Sequence, residues 1–176
     1  MKKNYRGICL IGAGRAGMIH ARNFQRSVPG FRIVSVADPM EEAAASACRE
    51  LEIEKYYLDY KQALEDEETD AVVIVSPTKY HCEIAVCAAK HRKDILLEKP
   101  MAMNARECVQ IMEAAKDNGV KLQIGFMRRF DESFQAAKKA VEAGEIGSVV
   151  LVKSLTRGPS TPRPWMYDIK KSNGPL

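Results

Sequence analysis

The stretch RGICLIGAGRAGMIH (6–20) decides the fold of this chain. Its first six residues are a short, mostly apolar run, the length of a strand. Three glycines follow, Gly12, Gly14 and Gly17, in the spacing G-x-G-x-x-G. From Ala16 onward the pattern becomes helical. A glycine loop between a strand and a helix is the context in which this spacing carries meaning, because the same glycines alone are common turn residues. Gly12 permits a tight turn and Gly14 lets the backbone approach a phosphate with no side chain between. Gly17 allows the helix to pack closely on the strand. The new helix offers free N–H groups and a partial positive charge to an anion.

The next strand supports this reading. FRIVSVAD (31–38) ends on Asp38, 21 residues beyond Gly17. An acid there accepts hydrogen bonds from the adenosine ribose and repels a 2′-phosphate. The expected cofactor is therefore NAD, with NADP disfavoured. Without this context the residues would be a glycine turn and a surface acid.

Working outward, short apolar runs alternate with helical patterns. Strands are predicted at 6–11, 31–38, 55–59, 71–76, 94–98 and 120–126, with helices at 16–28, 41–51, 60–67, 80–91 and 104–119. Asn104 is placed to cap the last of these, with Glu107 in the capping-box position and Gly119 as the stop. AVVIVS (71–76) is apolar without alternation, which marks a strand covered on both faces and hence parallel sheet. The expected class is α/β, a doubly wound, mostly parallel sheet. After Phe126 the rhythm changes. One more helix is expected within 128–147, then a β-branched strand at 148–156, then a proline-rich stretch without periodicity. The predicted organisation is a dinucleotide-binding domain at 1–126 and the beginning of a second, α+β domain at 127–176. Unpaired edges on the last strand predict self-association of the chain through it.

Composition narrows the class. At 46% hydrophobic and 28% charged residues the chain has globular proportions. No apolar run approaches the ~20 residues of a membrane span, and the N-terminus reaches its glycine loop too soon for a signal peptide. No membrane partner is expected and a cytoplasmic setting is. The five cysteines (Cys9, Cys48, Cys82, Cys87, Cys108) contain no CxxC pair and with three histidines make no zinc set, so reduced thiols and no metal are expected. The net charge of +4 arises wholly beyond residue 150, where five basic residues face one acid. They are too scattered to predict a nucleic-acid partner.

Two more stretches carry chemistry. In VIVSPTKYH, Ser76, Pro77 and Thr78 follow the carboxyl end of a buried strand, where ligands of open α/β sheets bind, and Tyr80 and His81 open the next helix. In DILLEKPM (94–101), Glu98 and Lys99 stand at the end of the following strand, and Pro100 restricts the backbone before it and admits a cis bond. Two charges there lie at the ligand edge of the sheet, beyond the core. A lysine at that edge can take a proton from a substrate hydroxyl or polarise a carbonyl in reverse. The plainer alternative is a salt-bridged strand end.

The glycine loop, SPTKYH and LLEKPMA, in this order and spacing, closely resemble the glucose–fructose oxidoreductase/inositol dehydrogenase (Gfo/Idh/MocA) family. LQIGFMRRFDESFQAAKKAVEAGEIG resembles its inositol 2-dehydrogenase branch. The resemblance implies a Rossmann domain followed by a mostly antiparallel α+β domain, and NAD(P)-linked oxidation of a hydroxyl on a sugar or cyclitol, a small polyol. It implies that Gly12, Gly14, Arg15, Ala16, Gly17 and Met18 form the pyrophosphate loop and that Asp38 is the ribose acid. Ser76, Pro77, Thr78 and His81 match a T-P-N-x-x-H element, with Thr78 where Asn is usual. Glu98 is turned towards the cofactor and Lys99 stands at the reaction centre. Met127, Arg128 and Arg129 match a segment near the substrate, although adjacent arginines equally form a solvated face or pair with Asp131. Family members continue, after a segment like SNGPL (172–176), into a helix whose Asp and His complete the active site. The 176 residues are therefore expected to be an N-terminal portion, inactive by themselves. A dinucleotide-binding module without catalysis is the second reading.

Overall fold

The computed structural model describes residues 4–155 and 167–169. Its centre is a six-stranded sheet in the order β3-β2-β1-β4-β5-β6, with every neighbouring pair parallel. The strands are β1 (Arg6–Ile11), β2 (Phe31–Ala37), β3 (Lys55–Tyr57), β4 (Ala71–Ile74), β5 (Asp94–Leu97) and β6 (Leu122–Ile124). The helices are α1 (Arg15–Ser27), α2 (Glu41–Leu51), α3 (Tyr60–Glu65), α4 (His81–Lys90), α5 (Ala105–Asp117) and α6 (Glu132–Glu142). This is the doubly wound α/β class expected. The chain leaves β1 for β2 on one side, then returns to β4 on the other, so the strand order reverses between β1 and β4. Ligands of such sheets bind at that reversal, outside the carboxyl ends of the strands.

The sheet is covered on both faces by separate apolar layers. Ile8, Leu10, Ile33, Val36 and Val73 pack with Met18, Ala21, Ala44, Ala47 and Leu51 of α1 and α2. Cys9, Ile11, Val72, Ile74, Ile95 and Leu97 pack with Leu64, Ile84, Ala85, Ala88 and Ile111 of α3, α4 and α5. Alternate residues of β1 thus serve opposite layers, which is why the run is apolar throughout. All five cysteines are free thiols. Burial in the second layer pushes the Cys9 thiol up to about 12, so it acts as a small apolar group. No helix among the described residues is long and apolar enough to cross a membrane.

Side-chain caps set several helix starts. Asn104 accepts the Glu107 N–H at 3.0 Å, and Glu107 reaches back to the Met103 N–H at 3.1 Å. The capping box is present, with its return bond one residue earlier than the standard pattern. Gly119, at φ 66°, closes the turn after α5. Asp131 caps α6 by accepting from Ser133 and Phe134, so this carboxylate serves the helix start.

One expectation is corrected. Residues 148–155 form no strand, and position 156 lies outside the described residues. Val150, Leu151 and Val152 are 95%, 82% and 78% exposed. β-branched residues favour extended backbone, but a strand exists only through its ladder partners and a packed face. Neither is present among the described residues, so self-association cannot be argued from an existing strand edge. The strands predicted at 31–38, 55–59, 71–76 and 94–98 are each shorter than expected at their carboxyl ends, where the chain turns away at the ligand edge, and the one predicted at 120–126 is trimmed at both ends to Leu122–Ile124.

Candidate functional site

The carboxyl ends of β1, β2, β4 and β5 bring most of the predicted site residues to one edge. Gly12 leaves β1 with φ 101° and donates its N–H to Ala37 O at 2.8 Å. A Cβ at Gly12 would lie 2.9 Å from the backbone carbon and oxygen of Val75. The glycine is required there by both conformation and space. A Cβ on Gly17 would stand 2.0 Å from Gly12 O, so the third glycine lets α1 lie against its own loop. Gly14 differs, since a Cβ there would meet nothing within 4 Å. It sits at the mouth of α1 in an extended conformation, with no side chain capping the helix. The first intrahelical bond runs from Met18 N to Gly14 O at 3.0 Å. Helix geometry therefore leaves the N–H groups of Arg15, Ala16 and Gly17 without an intrahelical partner. Met18 sends its side chain into the core.

Asp38, just past β2, is held on both oxygens. Oδ2 accepts the Ala13 N–H at 2.8 Å and Oδ1 the Met40 N–H at 2.9 Å. The first bond ties the acid to the glycine loop. A carboxylate has capacity for further donors, so ribose hydroxyls can still be accepted. At the end of β4, the Ser76 hydroxyl oxygen is buried without a hydrogen-bond partner among the described residues. Pro77 is exposed and Thr78 buried. The His81 ring is 1% exposed. Its Nε2 lies 2.8 Å from Ser76 O and its Nδ1 2.9 Å from Pro100 O. His81 thus joins the loop after β4 to the loop after β5, and its ring nitrogens face carbonyls of the chain itself.

Glu98 follows β5 and donates its own N–H to Ile74 O at 3.0 Å. Its Oε1 accepts from His20 Nε2 at 2.8 Å and its Oε2 from Lys99 N at 2.9 Å. The His20 hydrogen bond, aided by the Lys99 amide, outweighs partial burial and holds the Glu98 carboxyl below its ordinary value. Gly125 makes room for it, because a Cβ there would lie 3.1 Å from Oε1. The Lys99–Pro100 bond is cis. Lys99 is exposed and borders a cleft of about 310 Å³ with Gly125, Phe126, Met127, Arg128 and Arg129. Arg128 lies over the Phe134 ring at 5.1 Å. The structure therefore brings together Lys99 and the Met127–Arg129 turn. His20 escaped the sequence reading: a lone histidine inside a helix gives no signal until the fold brings the residue after β5 to it.

An unpaired buried hydroxyl, an uncapped helix mouth with no side chain at Gly14, and an acid beside that loop fit a dinucleotide. No group of three or more His, Cys, Asp or Glu side chains among the described residues is arranged to hold a metal.

Residues 6–126 match the model of an oxidoreductase family with an NAD-binding Rossmann fold, Gfo/Idh/MocA. Over 153 residues the chain is 42% identical to scyllo-inositol 2-dehydrogenase (NAD(+)) of Bacillus subtilis, a match spanning 87% of this chain and 45% of that protein. It is 35% identical to myo-inositol 2-dehydrogenase of Thermotoga maritima, covering 88% of this chain and 46% of that one. Among solved structures, scyllo-inositol dehydrogenase of Lactobacillus casei with bound NAD(H) and scyllo-inositol superimposes with a TM-score of 0.77 at 30% identity. That match covers 81% of this chain and 42% of the other. The chain spans about half the length of the curated relatives it matches.

Proposed function

The chain belongs to the Gfo/Idh/MocA oxidoreductase family, with its NAD-binding Rossmann fold, and from that premise we propose that it is the cofactor-binding portion of an NAD-dependent oxidoreductase acting on sugars or cyclitols, inositol above all. The observation that carries this is the shared edge: an open Gly14 and free α1 amides, Asp38 beside them, and Lys99 on the neighbouring cleft. In this reading residues 1–126 form the NAD domain and residues 127–176 begin the substrate domain. The partners are a small polyol or sugar and further copies of the chain, in a cytoplasmic setting compatible with five free thiols.

NAD, when bound, accepts the hydride removed from the substrate carbon. The amides of α1 and of Gly14 hold the pyrophosphate, Asp38 the ribose hydroxyls, and Ser76 supplies a donor beside them. Glu98, fixed in its ionised form, sets a negative charge at the edge where the oxidised ring is positive. Lys99 exchanges a proton with the substrate hydroxyl, while Arg128, Arg129 and Met127 border the space the polyol occupies. Metal is not part of the proposal.

Calorimetric titration of NAD into the chain tests the reading, with inositols and simple sugars then surveyed by NADH absorbance in a longer chain that continues into the family's second domain. Saturable binding and Lys99-dependent oxidation of a polyol are the expected results. Absence of NAD binding overturns it and returns the chain to the status of an α/β domain of other use. The relatives' inositol names favour the dehydrogenase over a purely binding module.

A further inference from the structure

Three elements converge on one carboxylate. His20 projects from α1, the helix opened by the glycine loop. Glu98 stands at the end of β5, and Gly125 follows β6. The His20 and Glu98 side chains are 25% and 21% exposed, so the 2.8 Å contact between Nε2 and Oε1 is partly shielded from water. A carboxylate only accepts, so the imidazole Nε2 carries the hydrogen. The second oxygen of Glu98 takes the N–H of Lys99, a residue that lines the cleft. A side chain at Gly125 would press on this carboxylate, with its Cβ 3.1 Å from Oε1.

We propose that His20 is a positioning residue: its imidazole holds the Glu98 carboxylate, and through Glu98 and the Lys99 backbone amide it fixes where Lys99 stands in the cleft. The proposal rests on the functional reading above and adds a residue to it. A Glu side chain has three rotatable bonds, and a single donor at Lys99 N leaves it several rotamers. A second donor from α1 reduces that freedom and ties the helix of the phosphate loop to the strand end bearing the lysine. The side chains acting on Glu98 are His20 from α1 and Lys99 from its own strand end. Removing His20 takes away the largest influence lowering the Glu98 carboxyl and leaves partial burial, which raises it.

The test uses the isotopically labelled 176-residue chain. The Glu98 side-chain carboxyl carbon is titrated by NMR, and the Lys99 amide is followed by chemical shift and solvent exchange, in wild type, His20→Ala and His20→Gln. In wild type Glu98 titrates below the ordinary carboxylate range. In His20→Ala its titration moves upward, the Lys99 amide resonance shifts and its exchange accelerates. His20→Gln, which keeps a donor, restores the Lys99 amide towards its wild-type position. If the alanine variant does not fold, His20→Leu fills the space without a donor and is read in its place. NAD affinity falls about three- to tenfold in the donorless variant, the scale of one ordinary net hydrogen bond. The proposal is overturned if the Glu98 titration and Lys99 amide stay as in wild type while only the melting temperature falls. It is overturned equally if the glutamine variant is as displaced as the alanine one. A wild-type chain that binds no NAD defeats the functional reading and leaves the two NMR readouts in force.

Discussion

Two glycines of one motif are expected to fail in opposite ways. Alanine inside a helix ordinarily gains about 1 kcal/mol over glycine. At Gly17 that gain is overwhelmed, because the new Cβ would lie 2.0 Å from Gly12 O, a backbone atom that cannot step aside. Gly17→Ala should cost about 3 kcal/mol or more of stability, read by urea denaturation. At Gly14 the space is open and the backbone is already extended. Gly14→Ala should keep stability within about 1 kcal/mol and weaken NAD at least about tenfold, read by calorimetry. Equal losses of stability in both variants would contradict the division. At Asp38 the expectation is an NAD preference over NADP of at least about tenfold, or 1.4 kcal/mol. Asp38→Ala should narrow that gap by removing repulsion. It should also weaken both cofactors, since Ala13 N–H loses its acceptor. The repulsion was readable from residue type and spacing. The strut to Ala13 was not, because residues 13 and 38 meet only when β1 and β2 are paired.

At the scale of elements, the connection from α3 to β4 shows how polar residues fix a turn. Asp66 accepts the Glu68 N–H, the Tyr57 hydroxyl and the Lys55 ammonium. Its side chain is 8% exposed. Burial raises the Asp66 carboxyl, and these donors more than offset that, so it sits below its ordinary value. A carboxyl depressed on folding adds stability that is full above its ordinary value of 3.8 and lost as pH falls through the lowered one. Asp66→Asn should therefore cost about 1–3 kcal/mol near neutrality and flatten the acid limb of stability against pH, measured by urea midpoints at successive pH values. An unchanged acid limb would place that dependence elsewhere. Asn104→Ala should remove about 1 kcal/mol through the lost α5 cap. That cap was legible from four residues of sequence, since capping is local. The role of Asp66 was not, since its partners Tyr57 and Lys55 belong to β3.

For the whole molecule, the expectation is a chain that holds NAD without turning over polyols by itself. The residues proposed to hold the cofactor meet at one edge of the sheet, and Lys99 borders a cleft that is open along the Met127–Arg129 turn. General acid–base help supplies about 10²–10⁴-fold and substrate positioning can supply more, so a lysine on a cleft this open, where a substrate is loosely positioned, should turn over below detection. NADH absorbance with an inositol panel checks this, and Lys99-dependent turnover by the 176 residues alone would contradict it. The apolar side chains of Phe130, Phe134, Ile146 and Val150 are all at least half exposed. Such a surface predicts association of copies at micromolar concentration, measured by light scattering and reduced by Val150→Lys. A monomer at every concentration would remove the oligomer from the proposal.

Sequence by itself determined what depends on neighbours in the chain. The strand–glycine–helix junction, the unbroken apolar runs of β1 and β4, the Asn104 cap and the placement of Asp38, Ser76 and Lys99 at strand ends all follow from local spacing and period. Those features fix the fold class, because an apolar strand followed by a crossover helix has few ways to bury both faces. Tertiary structure alone decided what depends on contact at a distance. It brought His20 to Glu98 across 78 positions, set His81 between two loops, and gave Asp38 its hold on Ala13. It also denied a strand to 148–155, whose residues have the propensity and no described partner. A helix or a cap carries its hydrogen bonds within a few residues, whereas a strand, an ion pair and a site edge take theirs from elements that only packing brings together.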